Sequence, residues 1–333
     1  MKFDDVWIQG TGRYAGEPRP APAHVTAHAG IVSVAWSGLS GPELAVRAGR
    51  QALAVAGPGA VGPHLHGAMA YPGLDIWSAS CWVADRLLTE APAMSMQFSA
   101  LCNTSAAGIE TAASLLTGRA DFARVLLTVG DRFPESAIDR FEVDPEIALG
   151  DAGAAAVLGR GGGQARVLSC VSRTDPALEG LQRGDEPFRD RPAEGPAVVR
   201  KRTRQFFAAG TRTPASVVQA HVAGVRAVVE TAVAEAGTSV AQARWVVPPF
   251  VGVNAFEHGY ERPLGLARER TLFELGLRLG HLGGSDHLYA LDHLLRNGLV
   301  APGDKIVLVG VGGGFTFTCV VLEVAAPNRP GVR

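Results

Sequence analysis

The sequence predicts an α/β protein built from two similar halves. Apolar strands alternate with helices along its 333 residues, and each half contains a strand, a glycine-rich turn and a second strand in that order. A hydrophobic content of 47% with 19% charged residues is typical of a globular protein with a substantial core. The chain is long enough for two ordinary domains or one large duplicated domain.

The elements of this pattern follow from local periodicity. The segment ARVLLTVGD at 123–131 predicts a strand and a turn, and AGAAAVLGRG at 152–161 predicts a second buried strand. At 215–237 apolar residues recur every three or four positions, which predicts a long helix with Gly237 as its cap. RWVVPPFVGVN at 244–254 predicts a strand that runs into a loop.

The last helix and the last strand pair complete the pattern. SDHLYALDHLLRNG at 285–298 predicts a helix with Ser285 as its N-cap and Gly298 beyond its end. DKIVLVGVGGGFTFTCVVLEV at 304–324 predicts two strands about a glycine turn. This pair resembles the earlier segment 118–161 in the order of its elements. Such repetition predicts two α/β halves whose turns lie near one shared site.

The predicted domain organisation has two halves and a connector. We expect an N-terminal half at 1–171 and a C-terminal half at 214–333. The segment between them, 172–213, is polar and rich in Pro, Gly and Arg, which is typical of a connector. Phe207 lies near its end, where the chain begins to enter the second half.

Composition argues against several classes of function. The net charge of -1 does not favour nucleic-acid binding, which needs a basic surface. The four cysteines lie far apart without CxxC spacing, which argues against a zinc site or a disulfide framework. His64 and His66 invite a metal site, but no third ligand follows at suitable spacing, so we expect no bound metal.

The sequence also predicts a cytoplasmic location. The N-terminal MKFDDVWIQG has two early acids and no apolar stretch that resembles a signal peptide. The longest uncharged stretch, 306–322, contains three consecutive glycines with β-branched flanks, which favours strand–turn–strand over a membrane span. We therefore expect a soluble protein that does not contact a membrane.

One cysteine occupies a position suited to nucleophilic chemistry. In QFSALCNTSAAGIETAASLLTG at 97–118, Cys102 lies between a short apolar run and a predicted helix. The nucleophilic form of cysteine is the thiolate, and the unpaired N–H groups at a helix N-terminus favour that form. Position alone leaves two interpretations open, a nucleophile or a small buried hydrophobic residue.

The order of these motifs resembles the β-ketoacyl-(acyl-carrier-protein) synthase III family, which has the thiolase fold. The resemblance spans most of residues 80–325 and depends on Cys102, on GDAGAAAVL at 150–158 and on GGGFT at 312–316. It implies a layered αβαβα sandwich, a homodimer formed through the N-terminal half, and acylation of the cysteine by coenzyme A or acyl carrier protein thioesters. By alignment it also implies an oxyanion hole made of the backbone N–H groups of Cys102 and Gly313, with each such donor lowering the barrier by about 2.7–4 kcal/mol.

The sequence departs from that family at two loops. Condensing members carry a histidine in a Pro-His-x-x-Asn loop and an asparagine in a later Gly-Asn loop, and both support decarboxylation of a malonyl thioester. Here the first loop reads VVPPFVGVN, so that Pro249 or Phe250 takes the place of the histidine. Neither side chain donates a hydrogen bond. In the second loop, LGHLGGSDHL, His281 takes the place of the asparagine.

These departures predict a different catalytic group. Asp286 follows His281 by five residues at the start of a helix, and the intervening Gly283 and Gly284 let the loop fold back. Cys102, His281 and Asp286 would then serve as nucleophile, base and orienting acid. The arrangement resembles a subgroup of synthase III-like proteins in aromatic polyketide and antibiotic pathways, which act as acyltransferases or select starter units.

Other interpretations of these residues stay open at this point. His281 would alternatively be a structural residue in a glycine loop, Asp286 a first-turn acid stabilised by the helix dipole, or His287 the functional histidine. Phe207, Pro249 and Phe250 are the residues that we expect to line the substrate pocket.

The leading functional hypothesis is an acyltransferase. It moves an acyl group from an acyl carrier protein or coenzyme A thioester, through an acyl-cysteine, onto a hydroxyl or amine of a sugar- or cyclitol-type acceptor. The donor's phosphopantetheine is then part of the substrate, and no separate cofactor is expected. The alternatives are a condensing enzyme that primes with a starter unit and a non-catalytic partner of another ketosynthase.

Overall fold

The computed structural model describes residues 1–190 and 195–326. The strands of the described chain are β1 (Trp7–Ala15), β2 (Glu17–Pro20), β3 (Ser33–Trp36), β4 (Pro63–Gly67), β5 (Met94–Phe98), β6 (Arg124–Asp131), β7 (Ala152–Gly159), β8 (Ala165–Thr174), β9 (Trp245–Val247), β10 (Lys305–Gly312) and β11 (Thr316–Val324). Its helices are α1 (Ala23–Ala29), α2 (Gly41–Ala56), α3 (Ala79–Leu87), α4 (Thr104–Gly118), α5 (Gly180–Arg183), α6 (Val199–Ala208), α7 (Pro214–Glu235), α8 (Val253–Phe256), α9 (Arg262–Leu264), α10 (Phe273–Leu279) and α11 (Asp286–Arg296).

Nine of the strands are joined in the order β5-β4-β6-β7-β1-β8-β11-β10-β9. The two ends of this order repeat each other. In the first half β4 runs parallel to β6, β6 antiparallel to β7, and β7 antiparallel to β1. In the second half β9 runs parallel to β10, β10 antiparallel to β11, and β11 antiparallel to β8. The internal similarity seen in the sequence is therefore a structural duplication.

The helices pack as three layers around the strands of the two halves. Helix α2 covers β1, β6 and β7 on one outer face, and α7 covers β8 and β11 on the other. Between the halves lie α4, which contacts β6, β10 and β11, and α11, which contacts β1, β7 and β10. The result is a five-layered αβαβα sandwich of duplicated halves, so the predicted fold class is confirmed.

The two halves meet at β1 and β8. These strands share only the pairs Trp7 with Arg166 and Ile8 with Ala165, whereas β8 pairs with β11 over most of its length. The predicted boundary at residue 171 falls inside β8. Strand pairing thus groups β8 with the C-terminal half, and the domain limits themselves stay predictions.

The predicted elements occur where periodicity places them. The strands predicted at 123–131, 152–161 and 304–324 are β6, β7 and the β10–β11 pair, and the helix predicted at 215–237 is α7. Gly237 follows this helix with a φ of 66°, a left-handed conformation that ends helices. Ser285 is the N-cap residue of α11, as predicted, but its hydroxyl contacts the Ala152 carbonyl at 3.4 Å and makes no capping hydrogen bond.

Helix α7 is the one helix of the described chain that is long and apolar enough to cross a membrane, by length and composition alone. It contributes a buried face to the second half, made of Gly224, Val225, Val228, Val229, Ala232 and Val233. Close packing explains one of these residues, because a Cβ on Gly224 would lie 2.5 Å from the Phe317 ring. The apolar face of α7 therefore packs on the sheet in this fold.

A glycine of the GDAGAAAVL motif is required by the packing of α2 on the sheet. A Cβ on Gly153 in β7 would lie 2.3 Å from the backbone carbonyl of Leu44 in α2. Backbone atoms of a helix cannot move aside as the end of a side chain can. The helix therefore approaches β7 this closely only because residue 153 lacks a side chain.

We expect Gly153→Ala to lower the free energy of unfolding by about 1–3 kcal/mol, the usual effect of overpacking a close-packed interior. Urea denaturation followed by circular dichroism measures this change. Gly118→Ala is the matched control, because a Cβ at Gly118 meets no atom within 4 Å. Equal stability of the two variants would contradict the packing argument.

Candidate active site

Cys102 lies at the entry to a central helix of the sandwich. It is the middle residue of a 3-10 turn, Leu101–Asn103, that follows β5 and leads directly into α4. The preceding Leu101 has a φ of 50°, a conformation that non-glycine residues rarely adopt and that is concentrated at functional sites. The Thr104 hydroxyl fixes this turn by accepting the Ala100 N–H at 3.1 Å and donating to the Leu101 carbonyl at 2.6 Å.

The glycine turn of the C-terminal half packs directly on the cysteine turn. A Cβ on Gly312 would lie 2.2 Å from the Ala100 carbonyl oxygen, and one on Gly310 would lie 2.1 Å from Asn103 Oδ1. Asn103 also donates from Nδ2 to the Thr318 hydroxyl at 2.8 Å, which joins the cysteine turn to β11. Glycines at these positions therefore let β10 press against the segment that carries Cys102.

The two backbone N–H groups expected to form an oxyanion hole, those of Cys102 and Gly313, belong to these two adjoining turns. In the described part of the chain, neither the Cys102 N–H nor the Gly313 N–H donates to another backbone carbonyl. Donors that are fixed by the fold and not already used are suited to bind the oxygen of a tetrahedral intermediate. Their role in this protein stays a prediction.

His281 and Asp286 form a buried pair. His281 Nδ1 lies 2.6 Å from Asp286 Oδ2, and the two side chains are 2% and 0% exposed. Asp286 also accepts the N–H of Leu282 at 2.7 Å and that of Phe250 at 2.9 Å. The predicted fold of the glycine loop back onto the helix start is therefore present, and the carboxylate is fully hydrogen-bonded.

The backbone of His281 is fixed as firmly as its side chain. Its N–H donates to the Ala148 carbonyl at 2.7 Å, and its carbonyl accepts the Gly150 N–H at 2.8 Å. Residues 148–150 lead into β7, so the GDAGAAAVL segment of the N-terminal half holds the histidine of the C-terminal half. The two halves thus build one site.

The second ring nitrogen of His281 lies near the Cys102 side chain. Nε2 is buried and forms no hydrogen bond of normal geometry with the described residues. Burial by itself lowers the pKa of the imidazole, but the charges of Asp286 and Cys102 act against burial and hold the pKa of His281 well above its ordinary value. An imidazole with Nδ1 bound to a carboxylate and Nε2 open beside a thiol is arranged as a base for that thiol's chemistry.

The loop that carries a histidine in condensing members has a structural role here. The Phe250 N–H donates a hydrogen bond to the Asp286 carboxylate. The Phe250 side chain is buried and packs against Gly276. Pro249 is also buried. Phe207 lies on α6 with its ring 5.5 Å from that of Phe206. None of these placements shows a substrate contact, so the pocket-lining role of all three residues stays a prediction.

Sequence reasoning missed a second buried carboxylate, Asp131 at the end of β6. Its Oδ1 accepts the N–H groups of Met69 at 2.7 Å and Ala70 at 2.8 Å, and its Oδ2 accepts the Gly284 N–H at 2.8 Å. Met69 Sδ in turn lies 3.7 Å from Cys102 Sγ. Asp131 therefore joins the loop beside the cysteine to the loop that carries His281. Its only sequence signal is an acid directly after an apolar strand.

Sequence reasoning also missed a cluster of aromatic side chains around Tyr260. Tyr260 lies in a π-helical turn, Glu257–Glu261, a rare conformation that occurs mostly at functional sites. Its ring packs edge-on against His221 of α7 at 5.3 Å, and His221 also contacts Phe315 and Phe317. Burial raises the pKa of Tyr260, and the charges of Cys102 and Asp286 add to this rise. The phenol therefore stays neutral beside the site.

Three other buried histidines, His64, His66 and His287, form hydrogen bonds away from the His281–Asp286 pair. His287 Nε2 binds the Val309 carbonyl at 3.0 Å, which separates it from the Asp286 carboxylate that His281 binds. His64 contacts the hydroxyls of Ser95 and Thr128 at 3.0 Å each, and His66 contacts Thr128 at 2.9 Å. Burial lowers the pKa of His64 to about 4 and that of His66 to about 3. Among residues 1–190 and 195–326, no three potential ligands are grouped around a metal position.

Comparison with known proteins identifies the class. The structure of a protein named ChlB3 and described as an acyltransferase has a TM-score of 0.90 at 27% identity, over 97% of this chain and 99% of that one. The 3-oxoacyl-(acyl-carrier-protein) synthase III of Aquifex aeolicus has a TM-score of 0.76 at 18% identity, over 96% and 99%. The duplicated sandwich is thus the thiolase fold.

Sequence comparison gives the family. The N-terminal model of 3-oxoacyl-(acyl-carrier-protein) synthase III matches residues 96–176 and the C-terminal model matches 233–324, together just over half of the chain. The β-ketoacyl-(acyl-carrier-protein) synthase III of Clostridium acetobutylicum is 25% identical over 256 residues, 74% of this chain and 72% of that protein. The chain belongs to the synthase III family of thiolase-fold enzymes.

The buried His281–Asp286 pair predicts a specific pH dependence of stability. Because the folded pKa of His281 is raised, the stabilisation from its charged form is fully present below about pH 6.5, the pKa of an unfolded histidine. It is lost as the pH rises through the folded pKa. We expect Asp286→Asn to lower the free energy of unfolding by about 3–5 kcal/mol near pH 6 and by less near about pH 10.

Urea titrations of the wild type and Asp286→Asn at both pH values measure this difference. Asp85→Asn serves as the control, because the Asp85 side chain is 80% exposed and its loss leaves no buried charge. A destabilisation by Asp286→Asn that is equal at the two pH values, or larger at alkaline pH, would show that no ion pair forms.

Proposed function

We propose that this enzyme is an acyltransferase that carries its acyl group on Cys102 and uses His281 as the base for transfer to oxygen or nitrogen. The observation that supports this proposal most directly is the His281–Asp286 pair, whose unused Nε2 is buried on the side of the cysteine. The similarity to ChlB3, described as an acyltransferase, agrees with it.

The first half of the proposed reaction loads the enzyme. The Cys102 thiolate attacks the carbonyl carbon of a thioester donor, and the oxyanion that forms accepts hydrogen bonds from the backbone N–H groups of Cys102 and Gly313. The intermediate collapses with cleavage of the bond to the donor sulfur. His281 gives its Nε2 proton to the departing thiolate and is left as a neutral imidazole.

The second half transfers the acyl group. The neutral His281 accepts the proton of an incoming hydroxyl or amine while that group attacks the acyl-cysteine carbonyl. Cys102 leaves as a thiolate, and the imidazolium that has formed is stabilised by Asp286 at 2.6 Å. General-base assistance of this kind contributes about 10²–10⁴-fold to the rate.

The same site is poorly equipped for carbon–carbon bond formation. Decarboxylation of a malonyl thioester needs hydrogen-bond donors that stabilise the enolate oxygen. Where condensing members have the loop histidine, this chain has Pro249 and Phe250. Of these two residues, only Phe250 has a hydrogen-bond donor, its backbone N–H, and that group already binds Asp286. This favours acyl transfer over the condensing alternative, and the buried His281–Asp286 pair near Cys102 argues against a purely non-catalytic partner.

The proposed substrates follow from this chemistry. The donor is a carrier protein or coenzyme A thioester, so the phosphopantetheine arrives with the substrate. The acceptor is a natural-product hydroxyl or amine of the sugar or cyclitol type, within an antibiotic or polyketide pathway. We place the reaction in the cytoplasm, where both donors are made.

We expect His281→Ala to form the acyl-enzyme slowly but to lower transfer to the acceptor by about 10²-fold or more, because the base is absent. Intact-mass spectrometry after incubation with a panel of acyl thioesters measures the adduct, and its decay on adding acceptors measures transfer. Cys102→Ala is the control and should give no adduct. Transfer by His281→Ala at the wild-type rate would disprove the assigned role, and release of CO₂ from malonyl thioester would favour condensation.

We also propose that the enzyme is a homodimer formed through its N-terminal half. Strand β5 lies at the edge of the sheet, with one side of its backbone available for pairing. Tyr71, Leu74 and Ile76, in the loop between β4 and α3, are apolar and largely exposed. An unpaired edge beside exposed apolar residues is typical of a protein–protein interface.

We expect light scattering after size exclusion to give twice the mass of one chain for the wild type. The double variant Ile76→Asp, Met96→Lys places charges on this surface and should give the mass of one chain, with an unchanged circular dichroism spectrum. Val55→Asp, on α2 and also exposed, is the control and should stay dimeric. A wild-type mass of one chain would contradict the proposal.

A further inference from the structure

A groove of about 540 Å³ opens beside the cysteine turn. Leu101, Gly313 and Gly314 form one wall, and the other wall is built from α5 and the residues that follow it, including Gln182 and Arg183. Leu101 is the neighbour of the nucleophile and Gly313 is the second expected oxyanion donor. The groove therefore adjoins the two turns that carry the proposed nucleophile and the expected oxyanion donors.

The side-chain amide of Gln182 rests on the glycine turn. A Cβ on Gly313 would lie 2.9 Å from Gln182 Cδ, 3.1 Å from Nε2 and 3.2 Å from Oε1. These three distances are shorter than the contacts that real Cβ atoms normally make. The amide can therefore lie against residue 313 in this way only because that residue is a glycine. The backbone of Gln182 is held by the Glu179 carbonyl at 3.1 Å and by Arg202 Nη1 at 3.3 Å.

The amide oxygen of Gln182 is buried and, within the described part of the chain, has no hydrogen-bond partner. Buried polar atoms are nearly always paired, and an unpaired one destabilises the fold. An unpaired acceptor on a side chain that lines a groove beside the cysteine turn is explained if a small movement of the amide brings it a donor from the substrate. A hydroxyl supplies that donor, and it suits either orientation of the amide because it both donates and accepts.

The charges around the groove favour a neutral partner over an anion. Arg183 pairs with Glu179, and Arg189 and Arg202 both contact Glu186. These two carboxylates offset two of the three guanidinium charges, so the side chains named here leave one net positive charge and not the strong positive field that selects a carboxylate or phosphate. The polar group that remains for recognition is the neutral amide.

We propose that this groove receives the acyl group and that Gln182 selects acyl groups bearing a hydroxyl on the α- or β-carbon. The inference rests on the proposed acyl-enzyme at Cys102. In the proposed acyl-enzyme, the thioester oxygen accepts a hydrogen bond from the Gly313 N–H. The α- and β-carbons of the acyl group then lie beside Gly313, where they are within reach of the Gln182 side-chain amide. Gln182 is thus a residue that determines acyl specificity.

The test measures how fast Cys102 is acylated by matched thioesters. The probes are N-acetylcysteamine thioesters, which lack both coenzyme A and carrier protein: butyryl against 3-hydroxybutyryl, and benzoyl against 2-hydroxybenzoyl. Intact-mass spectrometry follows the adduct. We expect the wild type to prefer the hydroxylated member of at least one pair by about fivefold to tenfold, the effect of one hydrogen bond.

The variant Gln182→Met keeps the length of the side chain and removes the amide. It should abolish the preference, so that the hydroxylated and unsubstituted members of each pair acylate Cys102 at equal rates. Gln205→Met is the matched control, because Gln205 on the adjacent α6 also has a buried amide oxygen without a partner among the described residues and does not line the groove. It should keep the preference.

The outcomes separate this inference from the function on which it rests. Adducts that form without a preference in the wild type, or a preference that survives in Gln182→Met, would overturn the role of Gln182 and leave acyl transfer intact. Failure of all four probes to acylate Cys102 would overturn the acyl-enzyme proposal and the groove's role together. Thermal melting of both variants verifies that they are folded.

Discussion

The arrangement of the site depends on one buried carboxylate. Asp286 has no exposure to solvent, and a charge removed from water is tolerated only when it is paired and fully hydrogen-bonded. It meets this requirement by accepting from His281 Nδ1 and from the N–H groups of Leu282 and Phe250. The carboxylate therefore fixes the ring of His281, the glycine loop and the loop after β9 at once. The same carboxylate thus occupies the Phe250 N–H and orients the ring of the proposed base.

A second carboxylate couples the two halves of the molecule. Asp131, at the end of a strand of the first half, binds Gly284 of the second half and also the loop that places Met69 against Cys102. The glycine turn at the end of β10 approaches the cysteine turn closely because it has no side chains there. Cys102 and His281, the proposed nucleophile and base, thus come from different halves, and buried hydrogen bonds between the halves hold the loops that carry them.

Much of the fold was accessible from local pattern. The apolar strands β6, β7, β10 and β11 and helix α7 carry periodicities strong enough to place them, and the repeated strand–turn–strand order revealed the duplication. Prediction at the site depended on the five-residue spacing of His281 and Asp286, and it left His287 open as an alternative. Ser285 has the predicted N-cap position, but its hydroxyl makes no capping hydrogen bond because it turns inward to Ala152, in a strand distant in sequence.

By itself, the sequence determined the elements, their duplicated order and the pairing of His281 with Asp286, because each depends on residues that are close together along the chain. Only the tertiary structure decided that Asp131 and Met69 support the cysteine, that the Phe250 N–H holds Asp286, and that the Gln182 amide lies on Gly313. Each of these contacts joins residues that are far apart along the chain and carries no local periodicity. Their positions are set by the close packing of the layers, which fixes distances that no sequence spacing encodes.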